Sequence, residues 1–165
     1  MLIVSDTTPL HYLIILDRAE ILPHLFGEII IPEAVLLEMK HERTPEIVRL
    51  WIESLPAWIK VETASPQILE KIGGLGRGES EAIALALEQA ADALLMDDRK
   101  AIREARKNNL TVITTLALLE LAAIKKLIDF AEVLRELEQT TFRLPNAEII
   151  AEFLKRNEQR KQSES

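Results

Sequence analysis

Leu2-Ile3-Val4-Ser5-Asp6-Thr7-Thr8-Pro9-Leu10 sets the pattern of the whole chain. An apolar run stops at a carboxylate, and a Thr pair and a Pro then supply a cap and a first helical turn, so the stretch predicts strand, turn and helix, the helix running to residue 16. The same grammar recurs downstream. A helix over 19–26, bent at Pro23, gives way at Gly27 to the β-branched run Ile29-Ile30-Ile31, and Pro32 closes that strand and opens a helix over 33–42. A helix over 45–54, a strand over 58–62 and a short helix after Pro66 come next. Four of the five glycines fall in Gly73-Gly74-Leu75-Gly76-Arg77-Gly78, which reads as a loop ahead of an alanine-rich helix over 79–89. Ala93-Leu94-Leu95-Met96 reads as a buried strand ending at Asp97-Asp98, followed by a helix over 99–109, a strand over 111–114 and helices over 116–126, 129–138 and 146–160. The tail after residue 160 is expected to fray. Strands alternating with helices imply an α/β fold with a mainly parallel sheet.

Composition narrows the function. With 165 residues the chain fits one domain with an appended tail, large enough to fold on its own core. It has no cysteine, which removes thiolate metal sites, a cysteine nucleophile and disulfides. No apolar run reaches the roughly 18 residues of a membrane span. Met1-Leu2-Ile3-Val4 offers no basic lead-in to a signal peptide, so the expected compartment is the cytoplasm, with no membrane partner. The 27 acidic against 20 basic side chains, a formal charge of −7, argue against a generic phosphate-binding surface and make the placement of the acids the question to answer.

In parallel sheets, ligands bind outside the carboxyl ends of the strands. Asp6, the Asp97-Asp98 pair and the Thr114-Thr115 pair all end predicted strands. A single strand-end Asp is more often a cap or a turn former, but three such ends would converge on one edge. On the helix over 79–89, Ala82, Ile83 and Ala86 lie within about 60° of Glu79, while Glu81 and Glu88 share the opposite side. Glu79 therefore either points inward or bends to serve the helix N-terminus, and Glu81 reads as a solvated face residue. Glu38 sits at the edge of the Val35/Met39 face, where periodicity does not decide between site and solvent. The glycine loop lacks the Gly-Lys-Ser/Thr ending of a phosphate-binding loop, and His11, His24 and His41 have no metal-type spacing. Arg99, Lys100, Arg103, Arg106 and Lys107 make a basic stripe beside Asp98, ordinarily a solvated helix face but well placed to hold phosphates.

Four segments together resemble the PIN-domain family of metal-dependent ribonucleases, in particular the small prokaryotic branch of VapC-type toxins. They are Val4-Ser5-Asp6-Thr7-Thr8-Pro9-Leu10, Ile31-Pro32-Glu33-Ala34-Val35-Leu36-Leu37-Glu38, Leu75-Gly76-Arg77-Gly78-Glu79-Ser80-Glu81-Ala82-Ile83-Ala84-Leu85-Ala86 and Leu94-Leu95-Met96-Asp97-Asp98-Arg99-Lys100-Ala101. The resemblance spans residues 1 to about 125. It implies a three-layer α/β/α sandwich with a mainly parallel central sheet, PIN-like over residues 1–140, and a C-terminal helical extension with a frayed tail over 141–165. It also implies an acidic cluster of Asp6, Glu38, Glu79 and the Asp97/Asp98 pair, with Thr114 or Thr115 as a polar helper. The third acid is Glu where the family more usually has Asp, and motif register favours Asp98 over Asp97 as the ligand.

An all-oxygen donor set of this kind suits Mg²⁺ or Mn²⁺. The implied activity is an endoribonuclease acting on an RNA substrate, in the setting of a toxin with a small antitoxin protein and a homodimeric assembly. The alternative is a catalytically inactive PIN-like module that binds RNA or protein. A haloacid-dehalogenase-type phosphatase would need a second Asp where Thr8 stands, and a receiver domain would need adjacent acids near the first strand; neither pattern is met.

Overall fold

The computed structural model describes residues 1–165. Five strands, β1 (Ile3–Ser5), β2 (Ile29–Pro32), β3 (Ile59–Glu62), β4 (Ala93–Leu95) and β5 (Val112–Ile113), form one sheet in the order β3-β2-β1-β4-β5. Every pairing is parallel: Val4 lies opposite both Ile30 and Leu94, and Leu94 opposite Val112. The chain moves from β1 outward to β3 and then crosses back beyond β1 to β4 and β5. The order thus reverses between β1 and β4, and the crevice for a ligand opens outside the carboxyl ends of those two strands.

The helices linking the strands are α1 (Thr7–Ile15), α2 (Ile21–Phe26), α3 (Glu33–Met39), α4 (Glu46–Glu53), α5 (Pro66–Leu69), α6 (Arg77–Glu88) and α7 (Arg99–Lys107). Right-handed crossovers place α1–α4 on one face of the sheet and α5–α7 on the other, which makes the α/β/α sandwich. Strands buried on both faces read as continuous apolar runs, and Ile3, Val4, Ile29, Ile31, Leu94 and Leu95 are fully buried. On the second face Val4, Ile30 and Leu94 meet Ala82–Ala86 of α6 and Ala101, Ile102 and Ala105 of α7. The small side chains of α6 let that helix lie close to the sheet.

Two expectations fail at α6. The helix starts at Arg77, so Arg77 and Gly78 belong to it and the loop ends at Gly76, its N-cap. Gly78 is buried, and a Cβ there would lie 2.7 Å from Glu38 Oε2, which would have to turn aside, and in ordinary contact with Val35 at 3.6 Å and Asp6 at 3.7 Å. Its glycine therefore marks a close approach to α3 inside a helix. The second failure is Glu81, which is 6% exposed and not solvated. Its Oε2 accepts the backbone N–H of Ala34 at 3.0 Å and its Oε1 accepts from Arg77 Nε at 3.4 Å. Helix α3 begins at Pro32 with no side-chain cap of its own, and the Ala34 N–H is one of the donors that its first turn leaves open. A carboxylate from another helix fills the position a local Ser or Asp usually takes. The wheel failed because α6 is covered on two sides, by the sheet and by α3.

The chain divides into two compact units, residues 1–115 and 116–165. The second holds the rest of α8 (Thr115–Ile124) with α9 (Phe130–Glu138) and α10 (Ala147–Glu164). Within it Phe130 is 1% exposed and stacks on Phe153 at 5.9 Å, Arg156 lies over the Phe153 ring and pairs with Glu120 at 2.7 Å, and Lys161 reaches Asp129 at 3.2 Å. Asn146 caps α10 by accepting from Ile149 N–H. The tail expected to fray is helical through Glu164, and the Lys161 pair to Asp129 ties its last turns to the end of α9's N-terminal loop.

Replacing Glu81 by Ala should cost about 1–3 kcal/mol of stability, the penalty of a buried N–H with no acceptor, while Glu81→Gln, which keeps an acceptor oxygen, should cost less. Urea unfolding of the two variants side by side measures the difference.

Candidate active site

Each acid reaches the crevice by a different route. Asp6 follows the last residue of β1, and its backbone N–H donates to Leu95 O of β4 at 2.9 Å, which stitches the two central strands together where the crevice opens. It occupies the N-cap position of α1 but makes no side-chain cap, leaving its carboxylate for the site. Glu38 lies one turn beyond Ala34 on α3, on the same helical face, and so is carried by the helix end that Glu81 holds. Glu79 is the third residue of α6. Asp97 and Asp98 follow β4, and Thr115 follows β5 across the Leu95–Ile113 pairing.

Asp6, Glu38 and Glu79 share one cavity, and Asp97, Asp98 and Thr115 are not among the residues that line it. The cavity, of about 130 Å³, is lined by Asp6, Thr7, Thr8, Glu38, Gly76, Arg77, Gly78 and Glu79. Asp6 is 4% exposed. Burial, reinforced by the negative charges of Glu79, Glu38 and Asp97 and opposed by the backbone of Thr7, pushes its pKa up to about 7. Burial also raises Glu79, with Asp98 and Glu38 adding to the rise and the Gly76 backbone and Lys100 working against it. Asp97 is raised by burial and held down by its hydrogen bonds from Thr115. The charge of Asp97 thus reaches Asp6, while that of Asp98 reaches Glu79.

Local donors occupy much of this oxygen. Glu38 Oε2 accepts from Thr7 Oγ1 at 2.6 Å, and Glu79 Oε2 reaches back to Gly76 N–H at 3.2 Å. Asp97 accepts from Thr115 at both oxygens, from the backbone N–H at 2.9 Å and from the hydroxyl at 2.5 Å. Asp98 Oδ2 caps α7 by accepting from Ala101 N–H at 3.0 Å. As the side chains stand, no three of these acids form a group able to hold a metal ion. Of the two expectations for Glu79, inward-facing acid and helix-terminus acceptor, the structure shows both at once. Of the threonine pair, Thr115 orients Asp97, and Thr114 directly follows β5.

Three residues of the cavity escaped sequence reasoning. Thr7 and Thr8 read only as a helix cap, although lying directly after a strand-end acid already put them at the crevice. Arg77 was lost in the glycine loop, yet its guanidinium is anchored on the buried Glu81 beside the pocket.

The fold has counterparts among known proteins. The PIN-domain family DUF3368 matches residues 2–159. Among solved structures, a PilT N-terminus domain protein, SSO1118, from the hyperthermophilic archaeon Sulfolobus solfataricus P2 superposes with a TM-score of 0.52. It is 22% identical in sequence over 72% of this chain and 90% of its own, a likeness of fold. No curated protein matches the chain. The fold is of the nuclease type. With the family matched over nearly its full length, the chain belongs to the PIN domains.

Proposed function

We propose that this chain is a metal-dependent endoribonuclease that hydrolyses RNA phosphodiester bonds. One observation carries the reading: Asp6, a carboxylate nearly closed off from water, is faced by the charges of Glu79, Glu38 and Asp97 in a crevice at the carboxyl ends of β1 and β4. Such a group is only about half ionised at neutral pH, and a cation beside it would favour the charged form. The donors are all oxygen, with no Cys in the chain, and that set suits Mg²⁺ or Mn²⁺. Asp6 would be the central holder, joined by Glu38, Glu79 and Asp97 or Asp98. A divalent cation, when bound, lowers the pKa of water and stabilises the charge that develops on a phosphodiester.

The remaining work falls to the chain itself. Asp6 gives up the proton it shares near neutral pH, Thr115 fixes the Asp97 carboxylate with two donors, and Thr7 steadies Glu38 at the rim. Glu81 and Gly78 keep α3 against α6, so that Glu38 and Glu79 stay on one cavity. Arg77, exposed but anchored, supplies the positive charge that a phosphate approaching four carboxylates requires.

The resemblance to VapC-type toxins supports a further reading as the toxin of a toxin–antitoxin pair, working in the cytoplasm as a homodimer with a small antitoxin protein. Tandem affinity isolation from the native host that returns the chain alone would refute it. The carboxylates' attachment to local donors favours the second reading, an inactive PIN-like binding module. A fluorescent RNA with Mn²⁺, Mg²⁺ or chelator separates the two, because a module retains RNA without cutting it.

Asp6→Asn should abolish metal-dependent cleavage, by at least about a thousandfold, and leave the fold intact by circular dichroism; full activity in that variant would refute the site. The same substitution should stabilise the metal-free protein. The pKa of Asp6 lies near 7 in the folded state against 3.8 for the ordinary group, so its contribution to stability is complete below pH 3.8 and is lost as pH rises through 7. At roughly 1.4 kcal/mol per unit, the loss is on the order of 4 kcal/mol. In chelator, thermal unfolding should show Asp6→Asn and wild type equal near pH 3.5 and the variant on the order of 10 °C more stable above pH 8.

A further inference from the structure

Helix α7 leads away from the acidic crevice and carries five cations in its nine residues, against one acid, Glu104, in a chain whose formal charge is −7. Arg99, Lys100, Arg103, Arg106 and Lys107 are all exposed, while Ala101, Ile102 and Ala105 face the core, so the helix has one cationic face and one apolar face. Glu104 is paired only with Lys107, at 3.9 Å. Arg99, Lys100, Arg103 and Arg106 are in no ion pair.

Their placement runs against local stability. Arg106 and Lys107 suit the C-terminal end of a helix, but Arg99 and Lys100 occupy its first turn, where the macrodipole disfavours positive charge. Only the Asp98 cap offsets them there. Residues that oppose the preference of their own helix and gain no partner are the mark of a site that serves something outside the chain. The stripe begins beside the acids: Lys100 Nζ lies 3.7 Å from where a Cβ of Gly74 would stand, in the glycine loop that leads into α6, and its charge is felt by Glu79. From there it runs the length of α7, about 13 Å, enough for more than one successive phosphate.

We infer that the exposed face of α7 is the track that holds the backbone phosphates of a single-stranded RNA as it leaves the crevice. This rests on the nuclease reading for the direction of the strand and names what that reading lacks, a surface able to hold a polyanion on an acidic protein. Four neighbouring acids repel the substrate, and the track restores affinity outside their reach. Arg99, Arg103 and Arg106, spaced four and three residues apart, contact successive phosphates, and Lys100 guides the strand at the crevice mouth.

The test is binding of a fluorescein-labelled 2′-O-methyl oligouridylate to the full chain in chelator, by anisotropy across a salt series. A triple variant, Arg99→Gln, Arg103→Gln and Arg106→Gln, is compared with a control that removes equal charge elsewhere, Lys125→Gln, Lys126→Gln and Lys155→Gln. The α7 variant should bind at least about tenfold more weakly at low salt, with the slope of log affinity against log salt reduced by roughly 2, at about 0.7 per single-strand phosphate. The control should keep most of the wild-type slope. Equal loss in both triples, an unchanged α7 variant, no binding by wild type, or tighter binding of oligoglutamate than of the RNA would each overturn the track. A separate cleavage assay on an unmodified strand with Mn²⁺ distinguishes the two failures: an α7-dependent binder that never cuts sinks the nuclease reading alone, and a cutter with an unchanged α7 variant sinks the track alone.

Discussion

A carboxylate enclosed by protein and surrounded by like charge is the constraint on which this structure turns. Asp6 is placed by the geometry of the sheet: it follows β1, the central strand, at the point where strand order reverses, and its own amide is bonded to the neighbouring strand. Its backbone is thereby held in the seam between β1 and β4. The remaining acids then arrive from helices and a loop on either side of that seam. A chain that gained nothing from such a cluster would relieve it with one Asn or Ser. This one instead supports each acid with a donor, Thr7 for Glu38, Gly76 for Glu79 and Thr115 for Asp97.

Those supports also explain the resting arrangement. Like charges repel, and each carboxylate turns toward an N–H or O–H beside it, from Gly76 three residues away for Glu79 and from elements distant in sequence for Glu38 and Asp97. The cost of gathering the oxygens is small for Glu38 and Glu79, whose attachments are single hydrogen bonds at or near the surface. It is larger for Asp97, held twice by a buried threonine. Asp97 thereby keeps a fixed orientation while Asp98, exposed and singly bonded through one oxygen, is the freer of the pair. The two acids of the doublet differ in their supports: Asp97 is bonded at both oxygens and its charge reaches Asp6, while Asp98 is bonded at one and its charge reaches Glu79.

What the sequence reveals follows from which physics is local. Strand-end positions are local, since an apolar run has to stop somewhere, and Asp6, Asp97 and Thr115 were legible for that reason. Glu38 was not, because the face of α3 it shares with the crevice is defined by α6, which comes some forty residues later. Glu81 misled for the same cause: a helical wheel assumes one buried side, and α6 has two. Gly78 looks like loop punctuation beside Gly73, Gly74 and Gly76, and only the structure shows it to be a buried helical residue against which the Glu38 carboxylate lies. The resemblance to PIN domains supplied Glu38 where periodicity stopped, but gave no reason for Glu81.

The electrostatic design that emerges has two zones of opposite sign on either side of the Asp98 peptide. Glu79, Asp97 and Asp98 lie on the crevice side, and four unpaired cations follow directly along α7. A boundary this sharp has a cost to the isolated helix, whose first turn would be better served by acids than by Arg99 and Lys100. On the proposed reading its use is to a polyanion, which would be drawn along the cationic face and meet the carboxylates only at a single linkage. An acidic chain would then reach nucleic acid through one cationic helix face, with attraction and chemistry set on either side of Asp98. The separation also means that screening by salt weakens the approach far more than it alters the enclosed Asp6, since exposed charges are screened and buried ones largely are not.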